Sequence, residues 1–217
     1  MPFDAPLAEL DAPALFEGSE PGAAGIKIRY AREEEIFGEG EPAEYVYRVL
    51  SGAVRTYRVL RDGRRQIDEF HFAGGYFGIE AGPDHRTTAE AIADSTVLVA
   101  RRVTAGELAN QRGDVTRQLL QLTMEGLQRR QDHVVLLGRK SACERVASLL
   151  LDLAERAGNP RTLDVPMSRQ DMADYLGLTI ETVSRTLTQL QADGVIEIPT
   201  TRRIVLRDRV ALAEMVE

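Results

Sequence analysis

Two short helical patterns separated by a single glycine constrain the fold of this chain more than any other feature of its sequence. The first pattern follows Ser168, which with Asp171 fits a capping box that closes the free amides of a first helical turn. Gly177 comes next, where the chain must reverse without a side-chain clash. The second pattern covers residues 180–192, so the segment is predicted to be a helix-turn-helix. Its predicted apolar contacts are Met172, Ala173, Leu176, Leu178, Val183, Leu187 and Leu190.

The front of the second helix carries opposite charges on one face. Glu181 and Arg185 are four residues apart and therefore share that face, with Ser184 beside them. Arginine can hold O6 and N7 of guanine with two hydrogen bonds, and a carboxylate can accept one from N4 of cytosine. The alternative is a weakly stabilising, exposed ion pair. Spacing alone leaves both open, but the preceding turn and capping box favour Glu181, Ser184 and Arg185 as base-contacting residues in a DNA major groove.

A β-hairpin is predicted directly after the second helix. Residues 195–198 and 203–206 are its strands, and adjacent arginines lie near its tip. Such cations can meet DNA phosphates, as can polar groups at helix starts, where amides and the helix dipole favour an anion. The alternative for the hairpin arginines is that they are ordinary solvated turn cations. The residues predicted to contact phosphate are Arg169, Gln170, Thr179, Thr182, Arg202 and Arg203.

The chain between residue 26 and about residue 103 alternates between β-rich runs and glycine turns. Residues 45–50 and 53–60 flank Ser51-Gly52, and Asp62-Gly63 follows. Further β-rich runs cover residues 66–72, 88–93 and 96–101. This spacing predicts an antiparallel sandwich or barrel. Residues 1–25 show no sustained period and are predicted to be an N-terminal arm.

One long helix is predicted from Asp114 to Leu137, with two adjacent apolar stripes. One stripe contains Leu119, Leu122, Gly126, His133 and Leu136, and the other contains Leu120, Met124, Leu127, Gln131 and Val134. Two stripes imply two partners: the β domain and the same helix of a second subunit. We assign the stripe with Gly126 to the dimer interface, because glycine there permits close approach of two backbones. The alternative is an ordinary buried helix in a monomer.

Charge and composition narrow the classes of function. The net charge of −7 argues against an indiscriminate nucleic-acid binder. Residues 1–138 hold 16 Lys and Arg against 22 Asp and Glu, whereas residues 139–217 hold 11 against 12. The last third is therefore nearly balanced, which allows a DNA-binding C-terminal domain without demonstrating one.

Several other classes find no support in the residues present. The single cysteine, Cys143, rules out a disulfide framework and a Cys-ligated zinc or iron–sulfur site, and the three histidines lie far apart. We find no catalytic arrangement and predict that the chain is not an enzyme and binds no metal. The sequence holds no apolar run long enough to span a membrane and no basic leader, so a cytoplasmic protein is expected.

From Ile26 to its C-terminus the chain resembles the CRP/FNR superfamily of bacterial transcription regulators. The resemblance rests on Phe37-Gly38-Glu39-Gly40, on residues 47–52, on the long helix and on residues 181–185. Within the superfamily the chain looks most like the FixK branch. The resemblance implies an α+β fold with four parts. These are the arm (1–25), an antiparallel β-roll like a cyclic-nucleotide-binding jelly roll (26–110), a dimerisation helix (111–138) and a winged helix-turn-helix (139–217).

The same resemblance carries an expected function. It implies a homodimer that binds palindromic DNA with half-sites of the TTGA type, that activates transcription with RNA polymerase as partner, and that serves a low-oxygen or nitrogen-fixation regulon. Glu181, Ser184 and Arg185 match the base-contacting positions of the family. Target genes, flanking base preferences, behaviour at each promoter and the control mechanism stay open.

The β-roll departs from the ligand-binding members of the family. Ile79 replaces the Glu of a Gly-Glu pair that binds ribose, although Arg86-Thr87 could still bind an anion. No cysteine precedes Cys143, which excludes the N-terminal iron–sulfur cluster of oxygen-sensing members, and the haem signal from His71 and His85 is weak. We therefore predict no cofactor and no small-molecule effector. The alternative is a sensor in which a cyclic nucleotide or another anion in the β-roll switches DNA binding.

Overall fold

The computed structural model describes residues 25–102, 113–158 and 160–216, so the predicted arm lies outside the described residues apart from Gly25. The chain divides into two compact units. Among the described residues, the first contains 25–60, 67–102 and 113–129, and the second contains 61–66, 130–158 and 160–216. Residues 61–66, which join two strands of the first unit, thus cluster with the C-terminal unit.

The first unit is built from antiparallel strands, as the sequence predicts. The strands are β1 (Ile26–Tyr30), β2 (Glu35–Phe37), β3 (Tyr45–Ser51), β4 (Ala53–Val59), β5 (Arg65–Phe72), β6 (Tyr76–Phe77), β7 (Thr88–Ala91) and β8 (Ser95–Arg101). They form two four-stranded sheets in the orders β1-β8-β3-β6 and β2-β7-β4-β5. The two sheets share a core of Phe37, Tyr47, Val49, Val54, Phe77, Ala89 and Val97.

The turn between β3 and β4 shows why the glycine signal is reliable. Gly52 has φ of +87°, and an added Cβ would lie 2.3 Å from Ser95 Oγ. Ser95 Oγ also accepts a hydrogen bond from the Ala53 amide at 3.1 Å. A side chain at Gly52 would therefore be strained by its backbone and would displace this contact.

The C-terminal unit combines helices with a small three-stranded sheet. Its elements are α2 (Ala142–Arg156), β9 (Thr162–Asp164), α3 (Arg169–Leu176), α4 (Ile180–Ala192), β10 (Ile196–Thr200), β11 (Arg203–Leu206) and α5 (Arg209–Glu214), and the sheet order is β10-β11-β9. The short α5 was not predicted. Asp208 caps it, because its carboxylate accepts the Ala211 amide at 2.9 Å.

The long helix α1 (Gly113–Arg139) belongs to both units, and its two stripes differ in exposure. Leu120, Met124, Leu127 and Val134 are 49–70% exposed. On the other stripe Leu136 is buried, and Leu119, Leu122, Gly126 and His133 are only partly exposed. His133 stacks on the Tyr175 ring at 4.2 Å and donates to the Tyr175 carbonyl at 2.9 Å.

The exposure of the two stripes bears on the predicted dimer interface, which stays a prediction. In the single chain, Leu136 is buried, and the rest of the stripe assigned to the interface is partly exposed: Leu119, Leu122, Gly126 and His133. The other stripe is the more exposed of the two and is called the open stripe here: Leu120, Met124, Leu127 and Val134.

His85 is a buried titratable group in the β-roll. Its ring stacks on Phe37 at 3.6 Å, and its Nδ1 lies 3.9 Å from a carboxylate oxygen of Glu80. Burial is the largest cause that lowers the pKa of His85 below its ordinary 6.5; Arg102 also lowers it, whereas Glu80 and Glu41 oppose the shift. The folded protein therefore favours the neutral imidazole.

This burial predicts an acid-sensitive β-roll. The unfolded chain binds a proton at His85 more readily than the folded chain, so the free energy of unfolding should fall as the pH drops through about 6.5 and level off below the folded pKa. His85→Phe keeps a ring beside Phe37 but cannot be protonated. Urea midpoints at about pH 8 and about pH 5.5 should differ less in this variant than in the wild type. An identical pH dependence in both proteins would contradict the assignment.

Candidate nucleic-acid interface

The helix-turn-helix is held by local bonds that the sequence predicts. Asp171 donates its amide to Ser168 Oγ at 3.0 Å, and the Asp171 carboxylate accepts the Ser168 amide at 2.8 Å. The capping box is therefore confirmed. Gly177 ends α3 in the left-handed conformation, with φ of 61° and ψ of 39°. A Cβ there would also lie 3.3 Å from Leu137 Cδ2, so Gly177 meets both a conformational and a steric requirement.

The helix α4 buries one face and presents the other to solvent. Val183, Leu187 and Leu190 are at most 1% exposed, and α3 contributes Met172, Ala173 and Leu176, all at 0%. The two helices contact each other. Because this face is committed to the core, residues about half a turn away must project outward.

The outward face carries the three predicted base-contacting residues. Glu181, Ser184 and Arg185 are all exposed. Within the described part of the chain, the charged groups of Glu181 and Arg185 form no ion pair. Instead Arg185 Nε donates to the Glu181 backbone carbonyl at 3.4 Å. The guanidinium and the carboxylate are therefore exposed to solvent and are not paired with each other.

The carboxylate of Glu181 is ionised at neutral pH. Its own backbone amide is the largest cause that holds the pKa of Glu181 below its ordinary value, followed by the Thr179 hydroxyl and by the charge of Arg185. An ionised carboxylate only accepts hydrogen bonds. Glu181 therefore presents an acceptor, which suits the N4 amino group of cytosine.

Hydroxyl groups lie together at the N-terminus of α4. Thr179 is the N-cap and accepts the Thr182 amide at 3.2 Å, while the two hydroxyl oxygens lie 3.1 Å apart. The free amides and the dipole of this helix end favour an anion. Thr179 and Thr182 therefore lie at the helix N-terminus, as expected from the sequence, and their contact with a phosphate stays a prediction.

The two arginines of the hairpin wing, Arg202 and Arg203, are exposed, and each also forms a hydrogen bond within the chain. Arg202 donates from Nη1 to the Pro166 carbonyl at 3.2 Å, and Arg203 lies across from Asp164 with Nε 3.4 Å from its carboxylate. The charge of Arg203 is therefore partly compensated by Asp164, whereas the Pro166 carbonyl leaves the charge of Arg202 uncompensated. Of the two, Arg202 is the stronger candidate for a phosphate contact.

The two predicted phosphate residues at the start of α3 differ. The Arg169 guanidinium is half-buried against Met172, with Nη1 3.3 Å from the sulfur, and burial lowers its pKa. Gln170 is exposed and donates to Asp174 at 2.6 Å. Arg169 must therefore leave its present contact to reach a phosphate, and Gln170 must give up its bond to Asp174.

Some residues at the site were missed by the sequence analysis. Ile180 is 38% exposed beside Glu181, where an apolar side chain can contact a thymine methyl group. Its signal was a β-branched residue at the first position of the helix with no predicted core partner. Arg145 had no local signal. It donates at 2.8 Å to the carbonyls of Leu137, Lys140 and Leu176, and so satisfies the ends of α1 and α3.

The candidate anion residues in the β-roll do not form a ready phosphate site. Arg86 is exposed, and its amide donates to the carboxylate of Glu80 at 3.0 Å. Its carbonyl accepts a hydrogen bond from Arg58 at 2.5 Å. An anion at this amide would have to replace the negative charge of Glu80. In the present arrangement the Arg86 amide is therefore already occupied by Glu80.

The described residues give little support for a metal site, a reactive cysteine or a membrane-spanning helix. Across residues 25–102, 113–158 and 160–216, no three His, Cys, Asp or Glu side chains come together as a metal would require. Cys143 is half-buried, and burial raises the pKa of its thiol, which favours the unreactive protonated form. Among the described helices, none has the length and apolar character to cross a membrane.

Comparison with known proteins matches both units. A family model described as the Crp-like helix-turn-helix domain matches residues 144–215, and one described as the cyclic nucleotide-binding domain matches residues 27–112. The chain is 46% identical over 198 residues to the nitrogen fixation regulation protein FixK of Azorhizobium caulinodans, covering 89% of this chain and 80% of that protein. FixK of Rhizobium meliloti is 44% identical over 186 residues, covering 86% and 85%.

A solved structure agrees with these relatives. The structure of FixK2 from Bradyrhizobium japonicum matches with a TM-score of 0.85 at 47% identity, covering 89% of this chain and 98% of that one. The chain therefore belongs to the CRP/FNR family of transcription regulators, carries the family's DNA-binding helix-turn-helix, and is similar to the FixK members of that family.

Proposed function

We propose that this protein is a transcription activator that binds a palindromic TTGA-type site as a homodimer and needs no small-molecule effector. The observation that carries the proposal is the exposed face of α4, where a carboxylate and a guanidinium that form no ion pair stand one turn apart. The buried opposite face of α4 fixes the direction of that exposed face. The three side chains offer an acceptor, a hydroxyl and a donor fork to base edges.

A homodimer is supported by the open stripe of α1. Leu120, Met124, Leu127 and Val134, with Gln131 between them, are spaced by alternating steps of four and three residues. This is the spacing at which two helices wind around each other with interlocking side chains. A two-fold dimer would place its two α4 helices in successive major grooves, about 34 Å apart, which matches a palindromic site.

The biological setting is proposed from the relatives. The FixK proteins of Azorhizobium and Rhizobium are named as nitrogen fixation regulation proteins. We assign this chain to a regulon of the same type, active at low oxygen, with RNA polymerase as its partner at the promoter. A non-enzymatic role in the cytoplasm is consistent with this assignment.

A sensor is the second candidate, and the match to the cyclic nucleotide-binding domain family favours it. Against it stands Glu80, whose carboxylate occupies the amide of Arg86. Displacing an internal carboxylate in favour of a ligand phosphate exchanges one anion for another, so little binding energy is gained. We therefore place the effector-free regulator first.

The base-contacting role of Arg185 gives a direct test. Arg185→Ala should weaken binding to the palindrome by about 1–3 kcal/mol and relax discrimination at one G·C pair, because the guanidinium fork is lost. Fluorescence anisotropy with duplexes substituted at each position measures both effects. Arg202→Ala is the matched control: it removes the same charge from the wing, should weaken all sequences similarly, and should lower the salt dependence. Unchanged sequence preference in Arg185→Ala would refute the base-reading assignment.

The dimer interface gives a second test. Leu127→Glu puts a charge into the open stripe of α1, so the protein should shift from two chains to one and lose affinity for the full palindrome. Gln121→Glu adds the same charge about 100° around the helix, outside the stripe, and should remain dimeric. Sedimentation equilibrium separates the two results. A dimer that survives Leu127→Glu would show that the interface lies elsewhere.

Effector independence gives a third test. Purified protein without added ligand should select a symmetric site from a random DNA pool and bind it fully, because no ligand is required. Cyclic AMP and cyclic GMP titrated against that complex should leave the affinity unchanged. A rise in affinity of about tenfold or more, equivalent to about 1.4 kcal/mol, would establish the sensor instead.

A further inference from the structure

We infer that Arg65 is a positioning residue for DNA reading: held by Asp171 and Asp174, it fixes α3 and through α3 the exposed face of α4. This inference rests on the proposed function, because it concerns the orientation of α4, the helix proposed to contact DNA bases. Arg65 lies in the segment Arg61–Gln66, which clusters with the C-terminal unit. The segment is more than 100 residues away from α3 in sequence.

In this contact, one guanidinium donates hydrogen bonds to two carboxylates at the same time. Arg65 Nη2 lies 2.7 Å from Asp171 Oδ1, and Arg65 Nε lies 2.9 Å from Asp174 Oδ2. The side chains are 24%, 5% and 12% exposed, respectively. Asp171 and Asp174 are three residues apart and so share one face of α3. The arrangement is shielded from water, unlike an ordinary surface ion pair.

The two carboxylates also accept hydrogen bonds from other residues at the start of α3. Asp171 uses Oδ2 to accept the amide and the hydroxyl of Ser168, which leaves Oδ1 for Arg65. Asp174 accepts Gln170 on its other oxygen. Without Arg65, the like charges of Asp171 and Asp174 would share one face of a helix of eight residues and would lose the guanidinium that bridges them.

The neighbour of Arg65 contacts the other end of α3. Gln66 Nε2 donates to the Tyr175 carbonyl at 3.4 Å, and His133 donates to the same carbonyl at 2.9 Å. This carbonyl lies in the last turn of α3, where intrahelical partners are missing. Residues 65 and 66 therefore hold α3 along its length, from Asp171 to Tyr175.

The position of α3 affects contact with DNA bases, because so short a helix does not keep a fixed position without tertiary contacts. A helix of eight residues is marginal alone, and α3 owes its position to tertiary contacts. It buries Met172, Ala173 and Leu176 together with the core face of α4. A shift of α3 therefore shifts α4, and hydrogen bonds to base edges tolerate little displacement, whereas attraction to phosphates tolerates more.

This role differs from a direct phosphate contact in a measurable way. The charge of Arg65 is already engaged by two carboxylates, so its loss releases no counterions from DNA and the salt dependence of binding should not change. Arg64 is the matched control on the same turn. It is 78% exposed and pairs with Asp62, so Arg64→Ala removes the same charge without touching α3.

The experiment measures anisotropy of full-length protein with the selected palindrome and with a scrambled duplex, across a salt series. Arg65→Ala should bind the palindrome at least about tenfold more weakly, with scrambled DNA within about twofold and the salt slope unchanged. Arg64→Ala should match the wild type.

Two further variants test the ion pairs themselves. Arg65→Lys keeps the charge but cannot contact both carboxylates in the same way, so its affinity for the palindrome should lie between those of the wild type and Arg65→Ala. Combining Arg65→Ala with Asp174→Asn should cost less than the sum of the single losses.

A second readout works without DNA. Hydrogen exchange should quicken in α3 and at the start of α4 in Arg65→Ala, and not in Arg64→Ala. Palindrome affinity equal to wild type, or parallel losses on both duplexes with a lower salt slope, would overturn the positioning role. If the wild type itself shows no sequence preference, the proposed function fails instead, and hydrogen exchange alone then decides whether Arg65 fixes α3.

Discussion

The burial of one face of α4 against α3 is the constraint on which the rest of the site depends. Val183, Leu187 and Leu190 are buried in the same unit as Met172, Ala173 and Leu176, and this fixes the rotation of α4 about its axis. Once that rotation is set, Glu181 and Arg185 have no direction left except outward. The left-handed turn at Gly177 and the capping box at Ser168 serve the same packing, since they allow two short helices to meet closely.

Electrostatics in the C-terminal unit reconcile DNA binding with an acidic chain. Arg65 bridges Asp171 and Asp174 and offsets part of their negative charge, and Asp164 is paired with Arg203. These three acids near α4 are therefore partly compensated within the fold, while Arg185 projects outward. Net charge describes the whole molecule, but a groove of DNA meets only one face of it.

In the β-roll, too, charged and polar groups contact partners within the fold. The Glu80 carboxylate accepts the Arg86 amide, and His85 is stacked against Phe37 without a hydrogen bond to its Nδ1 in the described structure. A fold matched by the cyclic nucleotide-binding family thus places its own side chains in the loop where an anion could bind.

The sequence by itself determined the local and periodic features: the strands of the β-roll, the capping box, the turn at Gly177 and the bounds of α4 (Ile180–Ala192), because each depends on neighbours within a few residues. Tertiary structure decided which of two apolar stripes on α1 is covered, and it brought Arg65 to Asp171. Nothing in a local pattern reports a partner more than 100 residues away. Such contacts exist only once the chain has folded, because they join residues that are far apart in the sequence.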